Sequence, residues 1–116
     1  MDLTKIDRAI DACLAARRQD MIRLLADWIR IPSVRGEAQP DAPYGAEVER
    51  MLQLAGKSAH ALGLKTEMYH HRVCITHQND LPRKLGILCH LDVVAADPTQ
   101  WAAPPFNPQI PDGMLY

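Results

Sequence analysis

The sequence is poor in aromatic residues, in charge of one sign and in long apolar runs. Aromatic residues make up 5% of its 116 residues, and 13 Lys and Arg nearly balance 14 Asp and Glu, for a formal net charge of -1. Because no summed positive field is available for phosphates or anionic lipids, we expect neither a nucleic-acid nor a membrane partner. No apolar run approaches the ~20 residues of a membrane-spanning helix, and the acidic amino terminus does not resemble a signal peptide. We therefore expect a cytoplasmic protein.

Cysteine is also scarce, and its spacing excludes two kinds of site. The three residues, Cys13, Cys74 and Cys89, are odd in number and form no CxxC pair. This pattern fits reduced, buried thiols better than a disulfide framework or a thiolate zinc site.

What the chain does contain is the composition of one globular domain, with 47% hydrophobic and 23% charged residues. Apolar residues recur every three or four positions over about 4–30, which predicts a helix with one buried stripe. A similar pattern predicts a second helix over about 45–62, and Gly63 is placed to end it in a left-handed conformation.

After the second helix the period shortens to that of β-strands. We predict strands over about 64–70, 72–77 and 85–91, with the last two joined by turn residues at 79–82. Prolines crowd the region after them, so 93–116 is expected to be loop. The predicted fold class is α/β, with two helices followed by about three strands.

The third predicted strand ends in a histidine and a carboxylate. Strand side chains alternate, so His90 and Asp92 should project from the same face at the carboxyl end of the strand, where open α/β sheets place ligand-binding groups. Neutral imidazole is a common zinc ligand, and a nearby carboxylate can hold its other ring nitrogen. The same two residues are also compatible with an ordinary hydrogen-bonded pair at the surface. The other histidines, which we expect to be solvated or structural, are His60, His70, His71 and His77.

Four stretches in order carry a resemblance to metallopeptidase family twenty, the zinc-dependent dipeptidase, aminoacylase and carboxypeptidase G group. The segment 28–34 resembles the family's I-P-S-V stretch, and 86–94 resembles its G-H-x-D-V-V segment. The segments 36–37 and 40–45 are similar to a loop of the PepV-like dipeptidase branch. The last, 101–116, is similar to the W-x-x-P-P-F-x-P-x-x-x-D-G-x-x-Y block.

The resemblance implies hydrolysis of a peptide or amide bond in a small peptide by a metal-activated water. It implies a site of two Zn²⁺ ions, or Co²⁺ or Mn²⁺ in their place, with His90 as a metal ligand and Asp92 as the carboxylate that orients it. It also implies that 1–116 is a partial catalytic domain, the amino-terminal portion of a zinc-aminopeptidase-like (phosphorylase/hydrolase-like) sandwich without a dimerisation domain.

Two departures from the family pattern shape the expected behaviour of this chain. Cys89 stands where the family usually has a small residue, and the family's remaining metal ligands and general base would lie beyond Tyr116. We therefore expect a fragment that is inactive alone and prone to self-association, because a sheet cut from a larger fold leaves an unpaired edge. The alternative is a non-catalytic truncated remnant or a small binding module.

Overall fold

The computed structural model describes residues 2–82 and 85–116. Its elements follow in the order α1 (Leu3–Ile29), α2 (Ala46–Ala61), β1 (Lys65–Tyr69) and β2 (Val73–His77), before a short 3₁₀ turn at Pro98–Gln100. The predicted α/β class, with two helices followed by strands, is confirmed. None of the helices in these two ranges is long and apolar enough to cross a membrane.

Helix α1 begins at a side-chain cap and is packed only near its carboxyl end. The Asp2 carboxylate accepts a hydrogen bond from the Thr4 N–H at 3.1 Å, which satisfies one of the free donors of the first turn. Residues 2–21 are all exposed, and partial burial begins at Ile22. The helix meets α2 near Trp28, whose Nε1 donates to Ser58 Oγ at 3.3 Å.

Helix α2 covers the hairpin of β1 and β2. Its buried residues are Met51, Leu52 and Gly56. A Cβ atom at Gly56 would lie 3.0 Å from the terminal methyl of Met68 in β1, so the glycine allows the helix to approach the sheet closely. At the end of the helix Gly63 has φ +83, the left-handed conformation expected from the sequence.

The hairpin reverses through a turn with unusual backbone angles. Strands β1 and β2 are antiparallel, with Tyr69 opposite Val73. His70 and His71 both have positive φ, 50° and 56°, and the Arg72 N–H closes the turn on the Tyr69 carbonyl at 2.9 Å. Left-handed residues other than glycine are uncommon, although histidine is among those that adopt this region more often.

The prediction of a third strand over 85–91 is wrong. These residues form no strand, and the only sheet in the described ranges has two strands in the order β1-β2. Leu88, in the middle of the apolar run, is 98% exposed. A strand requires a neighbour to take its N–H and C=O groups. The turn residues 79–82 do not bring the run alongside β2, so its apolar composition is not enough to make it a strand.

The core is small for a chain of this length. The buried apolar residues in the described ranges are Ile31, Ala42, Met51 and Leu52. The radius of gyration of the Cα atoms is 17.1 Å, whereas a compact domain of this size has about 13 Å. Beyond residue 93 the chain is loop apart from the 3₁₀ turn, and Gln109 and Tyr116 exchange backbone hydrogen bonds of 3.1 and 2.9 Å.

Candidate functional site

The segment carrying His90 and Asp92 is tied to the end of α1 by a buried serine. Ser33 is 3% exposed, and its Oγ donates to the Leu91 carbonyl at 2.7 Å. The Val93 N–H donates in return to the Ser33 carbonyl at 3.1 Å, beside an isolated parallel bridge between Val34 and Val93. Two of the sequence segments that carry the family resemblance are thus bonded to each other.

The predicted pair, His90 and Asp92, lies together at the surface. His90 Nδ1 is 2.9 Å from the Asp92 backbone carbonyl and 3.4 Å from the Asp92 carboxylate Oδ1. The two side chains are 85% and 61% exposed. When Nδ1 carries the proton and donates a hydrogen bond to Asp92, Nε2 is unprotonated, and its lone pair points away from this contact. Nε2 is the nitrogen that this arrangement leaves available to a ligand.

The described residues do not fit a complete zinc centre. Zinc sites require three or four protein ligands, and no group of three His, Cys, Asp or Glu side chains in residues 2–82 and 85–116 is arranged to hold a metal ion. The neighbouring thiol of Cys89 is free but exposed, as is that of Cys13, so the prediction of buried thiols is wrong for these two cysteines. What the structure brings together is one imidazole and the residue that holds its second nitrogen.

A second polar cluster, around Glu49, was not predicted as a site. His71 Nδ1 lies 2.9 Å from Glu49 Oε1, and the Gln53 amide donates to the same oxygen at 2.7 Å. The other ring nitrogen of His71 is 3.9 Å from Asp41 Oδ1. Glu49 Oε2 is buried, with no hydrogen-bond partner among the described residues.

This cluster adjoins an open cleft of about 410 Å³. The cleft is lined by Gln39, Pro40, Asp41, Ala42, Ala46, Glu49 and Arg50. The guanidinium groups of Arg35 and Arg72 lie 5.6 and 6.0 Å from the centre of the Tyr44 ring. The loop before α2 is therefore held to the hairpin turn by the Asp41–His71 ion pair and by the Arg72–Tyr44 cation–π contact.

The pKa shifts in this cluster favour the charged pair. The hydrogen bond to Glu49 raises the pKa of His71, against a smaller opposing effect of desolvation, and the charges of Glu49 and Asp41 add to the rise. Burial alone would raise the pKa of Glu49, but the hydrogen bonds from His71 and Gln53 and the charge of His71 together lower it. Both shifts stabilise His71 as a cation beside a Glu49 anion.

The contact between Glu49 and His71 could not be predicted from the spacing of residues in the sequence. Glu49 and His71 are 22 positions apart, on a helix and on a turn. His71 lies in the turn with a positive φ of 56°. The sequence predicts a solvated or a structural histidine here without deciding between them, and the structure makes His71 a structural one, hydrogen-bonded to Glu49.

Comparison with known proteins gives a dipeptidase-like relationship. The chain is 35% identical over 100 residues to provisionally named dipeptidases of Staphylococcus aureus strains USA300, NCTC 8325 / PS 47 and bovine RF122 / ET3-1. The match covers 82% of this chain and 20% of each relative, so the chain spans about a fifth of the length of the curated relatives it matches. No protein-family profile matches the chain.

Proposed function

We propose that this chain contributes one metal ligand, and the residue that orients it, to a metal-dependent dipeptidase site of the metallopeptidase family twenty type. His90 is the proposed metal ligand, through Nε2, and Asp92 is the proposed orienting residue. The observation that carries the proposal is the pair itself, with Nδ1 held by Asp92 and Nε2 left available. The dipeptidase-like relatives supply the reaction class, hydrolysis of a small peptide.

In this proposal the residues of this chain hold and orient the metal ligand and take no part in bond breaking. The Asp92 carbonyl and carboxylate keep the proton on Nδ1, which fixes the tautomer and the ring orientation that a metal ligand needs. Ser33 positions this segment, because its hydroxyl bonds to Leu91, between the two residues of the pair, and its carbonyl bonds to Val93, directly after them. The further ligands and the general base would come from polypeptide outside these 116 residues, as would the contacts that select the peptide. Zn²⁺ is the proposed metal, with Co²⁺ and Mn²⁺ as alternatives.

A chimaera tests the assignment. Residues 1–116 replace the matched region of the USA300 relative, and hydrolysis of dipeptides is measured with and without added zinc. We expect activity in the wild-type chimaera and its loss in His90→Ala. His60→Ala is the matched control, since it removes another exposed imidazole, at the end of α2.

The chimaera also has an independent check of folding. Its melting temperature and oligomeric state are compared with those of the relative, so that inactivity caused by misfolding is recognised. If the chimaera does not fold, the intact chain is mixed instead with the relative's remaining polypeptide. Equal zinc-dependent activity in wild type and His90→Ala would refute the role of His90.

A non-catalytic binding module is the competing function, and the exposed apolar run at 85–91 is the observation that favours it. Ile87 and Leu88 in this run are 83% and 98% exposed, which is unusual for large apolar side chains in a monomer. A folded chimaera without any hydrolytic activity would favour this alternative.

A further inference from the structure

The amino-terminal half of α1 presents an apolar stripe without cover among the described residues. Leu3, Ile6, Ile10 and Leu14 follow one another at three- and four-residue spacing, so they share one face of the helix. Their exposed fractions run from 40% to 62%.

The carboxyl-terminal half of the same helix is different, because it packs against α2 near Trp28. Between the two halves, Arg18, Met21 and Leu25 line an open cleft of about 380 Å³ together with Ile110 and Leu115 of the carboxyl-terminal segment, and Met21 and Leu25 remain about half exposed. A helical segment that packs against nothing is marginal in water, since most helix stability in proteins comes from tertiary contacts. The amino-terminal half of α1 therefore lacks the contacts that stabilise the other half.

Charges beside the stripe indicate what covers it. Asp7, Asp11 and Arg18 lie along one flank of the stripe, at spacings of four and seven residues. Other charges of α1 pair within the helix, as Asp20 does with Arg23 and Asp27 with Arg30. In the described ranges no ion pair includes Asp7, Asp11 or Arg18.

We propose that this half of α1 packs antiparallel against the α1 helix of a second copy of the chain. In an antiparallel pair related by a two-fold axis, equivalent flanks of the two helices face each other. The acidic end of the flank then meets the basic end, with Asp7 beside Arg18 of the partner subunit. The same register places Ile10 against Leu14 of the partner subunit, which buries the centre of the stripe. This inference is independent of the proposed hydrolase function.

Sedimentation equilibrium of the full chain over a range of micromolar concentrations tests the surface. We expect a reversible dimer for wild type and a monomer for Ile10→Asp, which places a charge in the centre of the stripe. Ala12→Asp is the matched control, because Ala12 is exposed on the opposite face of the same helix, and this variant should still dimerise. Circular dichroism of all three proteins verifies that the helices are retained.

A charge exchange tests the direction of packing. Asp7→Arg and Arg18→Asp, made separately, should each weaken dimerisation by about tenfold in Kd, because each places like charges opposite one another at two symmetric positions. The double variant Asp7→Arg/Arg18→Asp restores the pair with its charges exchanged and should return the Kd to near the wild-type value. A monomeric wild type, a dimer unaffected by Ile10→Asp, or a double variant no tighter than the single ones would each overturn the proposal.

Discussion

At the scale of single residues, Ser33 connects the end of the first helix to the candidate site. Removal of its hydroxyl leaves the Leu91 carbonyl without the 2.7 Å bond, and such a bond contributes about 1 kcal/mol net. We expect Ser33→Ala to lower the free energy of unfolding by roughly this amount and to shift the NMR signals of residues 90–93.

Ser58→Ala is the matched comparison for that variant. It removes a half-buried hydroxyl, whose Oγ donates to the Leu54 carbonyl at 2.8 Å and accepts from Trp28 Nε1 at 3.3 Å, but it lies on α2, outside the segment around His90. It should destabilise the chain without moving the signals of residues 90–93. Identical spectra over these residues in Ser33→Ala and wild type would show that Ser33 does not position the pair.

His71 makes the fold sensitive to pH. Its pKa is raised above the ordinary 6.5, so its stabilising effect is complete below pH 6.5 and is lost as the pH rises through the raised value. The pKa of Glu49 is lowered from 4.5, so its effect is present above pH 4.5 and is lost as the pH falls through the lowered value. The pair should therefore stabilise the fold most between these two pH values.

Thermal unfolding of His71→Gln and wild type across this range tests the pair. The difference in melting temperature should be largest between pH 4.5 and 6.5 and should shrink on both sides. His70→Gln is the control, because His70 shares the positive φ of the turn and so matches its backbone strain. A difference that does not change with pH would mean that His71 acts without its charge.

At the scale of elements, the start of α2 depends on two glycines in contact. Gly45 has φ +97, and a Cβ on it would lie 2.7 Å from Gly36 Cα, a distance that forces the backbone to move. We expect Gly45→Ala to cost more than about 2 kcal/mol of stability, from the strained conformation and the collision together.

Gly63→Ala separates these two causes at the other end of the same helix. Gly63 also has positive φ, +83, but nothing lies within 4 Å of its added Cβ. Its substitution should therefore cost about 1 kcal/mol, for the conformation alone. Urea denaturation of the two variants measures the difference, and equal losses would show that the Gly36 contact yields without cost.

Whether an element can be predicted from the sequence depends on whether its hydrogen bonds join near neighbours or distant segments of the chain. The helices expected at 4–30 and 45–62 are observed at Leu3–Ile29 and Ala46–Ala61, because helical bonds and caps involve residues within one turn. The run at 85–91 has the composition of a strand, but a strand also requires a partner from elsewhere in the chain. The same distinction applies to the candidate site. His90 and Asp92 can be paired from the sequence because they are two residues apart, whereas the bonds from Ser33 and from His71 join distant segments and cannot.

At the scale of the whole molecule, a small core accompanies an extended shape. Few side chains of the described residues are buried, and the radius of gyration of 17.1 Å exceeds the about 13 Å of a compact domain of this size. A large share of the apolar surface is therefore left in contact with water. Such a surface favours association with a partner, such as the second copy proposed to pack against α1.

Because the described residues offer a single candidate metal ligand, His90, we expect the chain to lack catalytic activity by itself. One imidazole with its orienting residue cannot hold a zinc centre that requires three or four protein ligands, so the purified chain should hydrolyse dipeptides no faster than buffer. The measurement uses preparations of wild type and His90→Ala made in parallel, with zinc and with a chelator, so that a contaminating peptidase is recognised by its equal presence in both. Zinc-dependent hydrolysis in the wild type that disappears in His90→Ala would contradict this prediction. It would mean that further ligands are recruited within the chain or from a second copy.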